Sequence, residues 1–215
     1  MIPVFIIAFN NPTYVSSMID QLLKYTSDIY VIDNCSTFPP MIKLLDETKV
    51  NVIRMPQNYG HMVYLRPEIQ DLVKGDCYCI TDPDLRLNQN LPSNFIEIFK
   101  NISDDYQMYK VGFALDRLNN IRTDVTFKGK SITDWEAFVW NCRVDHPKIE
   151  MYYAEIDTTF CLINKKYKDD NLCNHIRVAG DFLCIHRPWL VTWKDELPED
   201  ELSFYRTHSK CSSWV

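Results

Sequence analysis

The sequence predicts an α/β fold, a single domain in which a mostly parallel central sheet is flanked by helices. In the first half of the chain, apolar runs of strand length alternate with segments whose apolar residues recur at helical spacing. The runs are continuously apolar, which is typical of strands that are covered on both faces. The chain has 215 residues and contains neither an internal repeat nor a flexible linker, which favours one domain.

Four apolar runs in the first half predict strands at residues 3–9, 29–32, 50–55 and 77–81. Asn11 and Pro12 are typical of a helix cap and a first helical position, and Pro39 opens a second helix. The third helix is expected to run from residue 65 to Gly75, which is a typical helix end. The second half is less regular, and we expect helices at 95–99, 133–141 and 199–208 and strands at 109–115, 151–163 and 176–179.

Composition and charge argue against several classes of protein. The net charge of -6 argues against nucleic acid as a partner, because no basic field attracts phosphates. No apolar stretch approaches the length of a membrane span, so no transmembrane segment is expected. The eight cysteines form no C-x-x-C pair and no secretory signal is visible, so we expect reduced thiols and a cytoplasmic location. The sequence leaves open whether the chain is one domain of a larger enzyme.

Several motifs of common α/β enzymes are absent from the sequence. It contains no G-x-G-x-x-G after the first strand, no G-x-x-x-x-G-K-[ST] and no G-x-S-x-G. A dinucleotide site, a P-loop and a nucleophile elbow are therefore not expected. Ligands of open α/β sheets bind outside the carboxyl ends of the strands, so the residues that follow each apolar run are the candidates.

Polar residues follow each of the first four predicted strands. They are the pair Asn10 and Asn11, the pair Asp33 and Asn34, the segment Asn58-Tyr59-Gly60, and the segment Asp82-Pro83-Asp84. In a parallel sheet these segments lie along one edge. Asp33 suits a hydrogen bond from a ribose hydroxyl or a base N–H, and the alternative is an Asx turn or a helix cap.

Asp82 and Asp84 form the single Asp-x-Asp of the chain. Two carboxylates after a buried strand repel each other unless a cation lies between them, and oxygen ligands suit Mg²⁺ or Mn²⁺. A metal held there can neutralise a diphosphate leaving group. The alternative is a turn at the end of the strand, because Asp and Pro are common turn residues.

In this order, the four segments resemble the nucleotide-binding half of glycosyltransferases of the GT-A fold, with Asp33-Asn34-Cys35-Ser36 as the second segment. The resemblance covers residues 1 to about 90 and implies a GT-A, Rossmann-like sheet, with residues 91–215 as the acceptor and catalytic half. The chain is also similar to the small glycosyltransferase domains encoded by large chlorella-type algal viruses, which implies the host cytoplasm. One departure is Asn34-Cys35, where the common pattern has Asp-Gly.

The resemblance implies a nucleotide-sugar donor, most often a UDP-sugar, and Mn²⁺ or Mg²⁺ bound directly by Asp84. Asp33 would hold the nucleoside, and Asp82 would act on the ribose or through water. Members of this fold add a late residue to the metal shell, for which we choose His186; the alternative is a structural histidine. The residues expected to bind the nucleotide sugar are Phe9, Asn10, Asp33, Asn34, Asn58, Gly60, Arg66, Asp82 and Trp189.

Asp157 is our candidate for the catalytic base. If residues 151–163 form a strand, Glu155 and Asp157 share one face of it, and carboxylates in so apolar a run suit a semi-buried general base. Asp134 and Glu136 compete with it, but we interpret them as part of a helix cap. Arg187 is a candidate contact to the diphosphate. Tryptophans suit either sugar stacking or the core, and those considered are Trp135, Trp140, Trp189 and Trp193.

The sequence therefore predicts a metal-dependent glycosyltransferase that moves a sugar to a hydroxyl of a glycan or glycoprotein acceptor. One alternative is a nucleotidyltransferase that makes sugar nucleotides, although its usual Gly-rich, Lys-containing loop is replaced by Asn10-Asn11-Pro12-Thr13. Another is a non-catalytic carbohydrate-binding module, which would explain the tryptophans but not the Asp-x-Asp. The sugar, the acceptor and the choice between inversion and retention stay open at this point.

Overall fold

The computed structural model describes residues 1–167 and 174–208. The strands in these residues, in chain order, are β1 (Val4–Ala8), β2 (Ile29–Asp33), β3 (Asn51–Arg54), β4 (Cys77–Thr81), β5 (Leu85–Arg86), β6 (Lys110–Phe113), β7 (Thr126–Phe127), β8 (Lys130–Ser131), β9 (Arg143–Val144), β10 (Met151–Tyr153), β11 (Cys161–Asn164), β12 (His175–Val178) and β13 (Ile185–His186). Nine of them form one central sheet, while β5 pairs with β13 and β7 with β8.

The central sheet has the spatial order β3-β2-β1-β4-β11-β6-β12-β10-β9. Strands β3, β2, β1 and β4 are parallel neighbours. Only β11 and β10 run against the others in this sheet, because both pair antiparallel with each neighbour. The predicted mostly parallel sheet is thus confirmed, and the carboxyl ends of the first four strands meet at one edge.

Helices flank this sheet as the sequence predicts. In the described residues they are α1 (Pro12–Leu22), α2 (Pro39–Glu47), α3 (Pro67–Gln70), α4 (Phe95–Tyr106), α5 (Ile132–Glu136) and α6 (Glu199–His208). A 3₁₀ helix, Ala137–Trp140, continues α5. No helix in residues 1–167 and 174–208 is long and apolar enough to cross a membrane.

The continuous apolar runs are explained by cores on both faces of the sheet. Ile6 of β1 belongs to the larger core, together with apolar residues of α1, α2 and α4. Phe5 and Ile7 belong to the second core, with Val63 and with Ile69 of α3. Alternate side chains of a strand point to opposite faces, so a strand covered twice needs apolar residues throughout.

The predicted helix from residue 65 to Gly75 is wrong. A 3₁₀ helix, His61–Leu65, is followed by the short α3, and Arg66 lies between them in an extended conformation instead of on a helix. Pro67 explains the break, since a proline disfavours helical backbone in the residue before it. Because α3 ends at Gln70, Gly75 does not cap it.

The single strand predicted at residues 151–163 is also wrong. The segment forms β10 and β11, and residues 154–160 connect them as a loop. Asp157 favours this loop because its Oδ1 accepts hydrogen bonds from the Thr159 N–H and hydroxyl. At the start of α1, Asn11 occupies the cap position without capping the helix, and its side chain accepts from the Phe9 N–H instead.

The cysteines of the described residues are all free thiols: Cys35, Cys77, Cys79, Cys142, Cys161 and Cys184. Burial raises the pKa of Cys79 and of Cys184 well above the usual thiol value, so both side chains stay neutral. They pack in the larger core as small apolar groups. Cys173 and Cys211, also predicted to be reduced, lie outside the described residues.

Gly112 lets β6 approach β11 closely. A Cβ at this position would lie 2.4 Å from the Phe160 carbonyl oxygen and 2.7 Å from the Cys161 Cβ. Both are parts of the tightly packed sheet, so neither can move without shifting a backbone. The same approach places the loop at 154–160 against β6.

We expect Gly112→Ala to lower the free energy of unfolding by about 1–3 kcal/mol or more, because it overpacks the sheet. Gly75→Ala is the matched control, since its added Cβ would meet no atom within 4 Å. Urea unfolding followed by circular dichroism measures both. Equal stability of the two variants would contradict the close packing described here.

Cys35 has a left-handed backbone at the end of β2. Its φ is +66°, in the region that glycine adopts at little cost and that other residues adopt under strain. The turn therefore keeps a glycine-type backbone although its residue is cysteine. Its thiol contributes one weak contact, 3.8 Å from the Pro56 carbonyl oxygen.

We expect Cys35→Gly to be more stable than Cys35→Ala by about 1 kcal/mol, because glycine removes the strain and offsets only part of this gain through chain entropy. Both variants lose the thiol, so their difference isolates the backbone. Chemical unfolding measures it. A Cys35→Gly variant that is no more stable than Cys35→Ala would show that the turn is unstrained.

Candidate active site

The second and third polar segments are joined into one unit at the edge of the sheet. Asn34 donates from Nδ2 to the Gly60 carbonyl oxygen at 2.9 Å and accepts from the Tyr59 N–H at 2.8 Å. Asn58 Oδ1 accepts from the Gly60 N–H at 2.8 Å, which closes the turn. Gly60 has φ +72° and no side chain, so a ligand can approach its backbone closely. These contacts bring together Asn34, Asn58 and Gly60 as predicted.

Asn10 and Asp33 brace the same edge. Asn10 Oδ1 accepts from the N–H groups of Thr37 and Phe38, at 2.7 and 2.9 Å, and its own N–H donates to the Ser36 hydroxyl. Asp33 Oδ1 accepts from the Ser36 N–H at 2.9 Å, so one of its oxygens is bound by the turn that follows β2. Asn10 has no exposed surface. Asn10 therefore stabilises this edge through its hydrogen bonds to residues 36–38.

Phe9 and Arg66 lie at the rim of this edge. Phe9 is half-buried directly after β1. The Arg66 guanidinium lies 4.5 Å from the centre of the Tyr59 ring and 3.6 Å from the Glu68 carboxylate. Its side chain is substantially exposed, so the ion pair contributes little stability and leaves the charge available to a ligand.

Asp84 and His186 are brought together by a short antiparallel ladder. β5 follows the Asp-x-Asp segment directly and pairs with β13, so that Leu85 lies opposite His186. The Arg187 N–H donates to the Asp84 carbonyl oxygen at 2.9 Å and extends the ladder. As a result, His186 Nε2 lies 3.4 Å from Asp84 Oδ2. Both side chains are buried apart from a small exposed fraction.

Asp84 and His186 fit a divalent cation on the chemistry of their donors. Asp84 Oδ1 and His186 Nδ1 are buried and have no hydrogen-bond partner in the described residues. Buried polar atoms are rarely left in this state, so both atoms are open to a ligand. The described residues contain no group of three or more acidic, His or Cys side chains arranged for a metal. A cation held by this pair would therefore keep positions open for ligand oxygens.

The carboxylates near this pair create a concentrated negative charge. Burial, together with the charges of Asp84 and Asp157, raises the pKa of Asp82 to about 7. The Thr158 hydroxyl donates to Asp82 Oδ2 at 2.7 Å. Burial acts to lower the pKa of His186, but the Asp84 carboxylate outweighs it and raises this pKa above its usual value. A cation would relieve the repulsion among these carboxylates.

Trp189 lies against His186, whereas Arg187 is held away from the site. The Trp189 and His186 ring centres are 4.5 Å apart, and Trp189 is buried. Arg187 donates from Nε to Glu196 at 2.6 Å and from Nη1 to the Ser17 hydroxyl at 3.0 Å. These bonds give Arg187 a structural role, so the prediction that it contacts the diphosphate is not supported.

Asp157 lies in the loop between β10 and β11, and its charge acts on His186 and Asp82. The residue is exposed to solvent, and protein groups surround it closely. Burial acts to raise the pKa of Asp157, but Arg177 and the hydrogen bonds from Thr159 outweigh it and leave the pKa lowered. Glu155 is exposed and does not share a strand face with Asp157, because the segment is a loop.

Sequence reasoning missed Arg177 as a functional candidate and set Glu136 aside as part of a helix cap. Asp134 takes part in the α5 cap with Ser131, as expected, but Glu136 is buried and lies 3.9 Å from Arg177. The charges that act on Glu136 include those of Arg177, Asp157 and His186. A signal was available for Glu136, because it follows the buried Ile132 by four residues and so shares its helix face.

Comparison with known proteins places the chain in a family. No curated protein sequence matches it. Among solved structures it is similar to TarS 1-349 from S. aureus, at 14% identity over 76% of this chain and 47% of that one, with a TM-score of 0.45. For HddC from Yersinia pseudotuberculosis the identity is 13%, the coverage 77% and 78%, and the TM-score 0.43. The structure of CMP:2-keto-3-deoxy-manno-octonic acid synthetase complexed with CTP is 10% identical over 95% of this chain and 81% of that one, with a TM-score of 0.41.

The chain spans about half the length of the TarS structure, and similarities as distant as these three transfer no activity. A sequence model of a protein family gives the assignment. The model described as glycosyl transferase family 2 matches residues 4–160, which is more than half of the chain. The matched stretch includes the Asp-x-Asp segment and Asp157 and ends before His186. The chain belongs to glycosyl transferase family 2.

Proposed function

We propose that the protein transfers a sugar from a nucleotide sugar, with a UDP-sugar as the donor, to a hydroxyl of a glycan or glycoprotein acceptor. The observation that carries the proposal is the pairing of Asp84 with His186 at the carboxyl edge of the sheet, 3.4 Å apart. The charges of Asp82 and Asp157 act on His186. A cytoplasmic location and the resemblance to viral domains stay predictions.

Asp84 and His186 would hold Mn²⁺ or Mg²⁺ in this proposal. When bound, the metal supplies positive charge that stabilises a departing diphosphate. Asp84 Oδ1 has no hydrogen-bond partner in the described residues, so it is open to a ligand atom. Asp82 Oδ2 accepts a hydrogen bond from the Thr158 hydroxyl, and Oδ1 would accept one from a ribose hydroxyl.

The joined segments at the ends of β1, β2 and β3 would hold the nucleoside. The second carboxylate oxygen of Asp33 is not used in the bond to Ser36, and this oxygen suits a base N–H or a ribose hydroxyl. The Gly60 backbone can approach a ligand closely, and Arg66 at the rim offers a cation to phosphate. UDP as the nucleotide rests on the resemblance of these segments to GT-A enzymes.

Asp157 is the proposed catalytic base. Oδ1 is engaged by Thr159, so Oδ2 is the atom that takes the proton of the acceptor hydroxyl. The hydroxyl oxygen then forms a bond to the anomeric carbon, and the bond from that carbon to the diphosphate oxygen breaks with its electron pair. The lowered pKa keeps Asp157 ionised near neutral pH, ready to accept the proton.

We expect Asp84→Asn to weaken Mn²⁺-dependent UDP binding at least tenfold, because one anionic ligand of the metal is lost. Isothermal calorimetry with UDP, with and without Mn²⁺, measures this effect. Asp105→Asn, at an exposed position of α4, is the matched control and should bind as the wild type does. Metal-independent UDP binding by the wild type would remove the metal from the proposal.

We expect Asp157→Asn to lower the rate of UDP-sugar turnover by about 10²–10⁴-fold, the usual contribution of a general base, with UDP affinity unchanged. Turnover of a panel of UDP-sugars, with water or a glycan as acceptor, is measured by released UDP. A large loss of UDP affinity would instead place Asp157 in the donor site. Release of pyrophosphate from UTP and a sugar phosphate by the wild type would favour the nucleotidyltransferase alternative.

A further inference from the structure

The loop that carries Asp157 is held by three buried side chains of the central sheet. Lys110 Nζ donates to the carbonyl oxygens of Ile156 and Asp157, at 2.9 and 3.2 Å. His175 Nδ1 accepts from the Ile156 N–H at 3.1 Å. Arg177 Nε donates to the Glu155 carbonyl oxygen at 2.8 Å. Three consecutive loop residues are thus bound through their backbone.

These three side chains come from one face of two neighbouring strands. In the ladder between β6 and β12, His175 lies opposite Lys110, and Arg177 is two residues further along β12. All three residues are more than nine-tenths buried. Burying such polar groups is costly unless they are hydrogen-bonded, and here the loop backbone provides the hydrogen bonds.

Arg177 differs from the other two because, within the described residues, part of its guanidinium has no hydrogen bond. Its buried Nη1 has no hydrogen-bond partner there, and Glu136 Oε2, which also lacks one, lies 3.9 Å away. This distance is too long for a hydrogen bond but short for two opposite charges in a buried place. Glu136 thereby links α5 to the residue that holds the loop.

We infer that Arg177, oriented by Glu136, is a positioning residue for the catalytic Asp157. The inference rests on the proposed function, in which Asp157 is the base. The fork of Arg177 holds the Glu155 carbonyl oxygen with one nitrogen and directs another towards Glu136, which fixes the guanidinium plane. The loop cannot then shift without breaking a buried, charge-assisted hydrogen bond.

Arg177→Met tests this inference, because methionine fills space but neither donates a hydrogen bond nor carries a charge. We expect kcat for UDP-sugar turnover to fall by about 10–100-fold, since small misplacements of a catalytic group have effects of this size. KM for the donor and the calorimetric UDP affinity with Mn²⁺ should change less than about twofold, because Arg177 touches no proposed donor contact. Arg143→Met, at an exposed position of β9, is the matched control.

Amide hydrogen exchange provides a readout that does not depend on turnover. In Arg177→Met, exchange in residues 154–160 should be faster than in the wild type, while exchange in β1 and β4 should be unchanged. Arg177→Lys keeps the charge without the fork and should recover less than half of the lost kcat. Glu136→Gln should lower kcat with donor KM unchanged. These two milder variants keep the test valid if Arg177→Met does not fold.

Unchanged kcat and unchanged loop exchange in Arg177→Met and Arg177→Lys would overturn the inference. A rise in donor KM equal to the fall in kcat/KM would also overturn it, because the residue would then belong to the donor site. A wild-type protein that binds no UDP and turns over no UDP-sugar is a different result, which overturns the proposed function. In that case the catalytic part of the inference falls with it.

Discussion

The candidate active site depends on the short ladder between β5 and β13. Its two residue pairs bring His186 beside Asp84, although about a hundred residues separate them in the chain. Without this ladder the Asp-x-Asp would be a strand end with two repelling carboxylates. With it, an imidazole and a carboxylate lie together in a buried position, and the charges of Asp82 and Asp157 act on the imidazole. Arg187 secures the ladder from behind through Glu196 and Ser17.

The two sides of the candidate site are made rigid by different interactions. On the nucleotide side, short amide and carboxylate side chains bind backbone groups of neighbouring turns, as Asn34 does with Tyr59 and Gly60. On the catalytic side, long buried cations reach from the sheet to the loop that carries Asp157. Both arrangements satisfy buried polar groups, and both reduce the reorganisation required when a ligand binds.

The site also concentrates groups that are unfavourable for stability. Asp82, Asp84 and Asp157 repel one another, and burial adds to this by raising the pKa of Asp82. In the part of the chain that the structure describes, the buried pair of Glu136 and Arg177 leaves two polar atoms without hydrogen bonds. Such groups are retained at functional sites more often than in ordinary cores, where an apolar pair of the same volume is at least as stable.

The sequence by itself determined the fold class, the first four strands and the polar residues at their ends, because continuous apolar runs and turn residues act locally. It also singled out His186 and Asp157. Tertiary structure alone decided which of these residues meet. The segment predicted as one strand at 151–163 is divided by a loop at 154–160, in which Asp157 binds Thr159. Arg187 forms an ion pair with Glu196. Arg177 carries no local signature of function, and its pairing with Glu136 exists only when α5 is placed against β12.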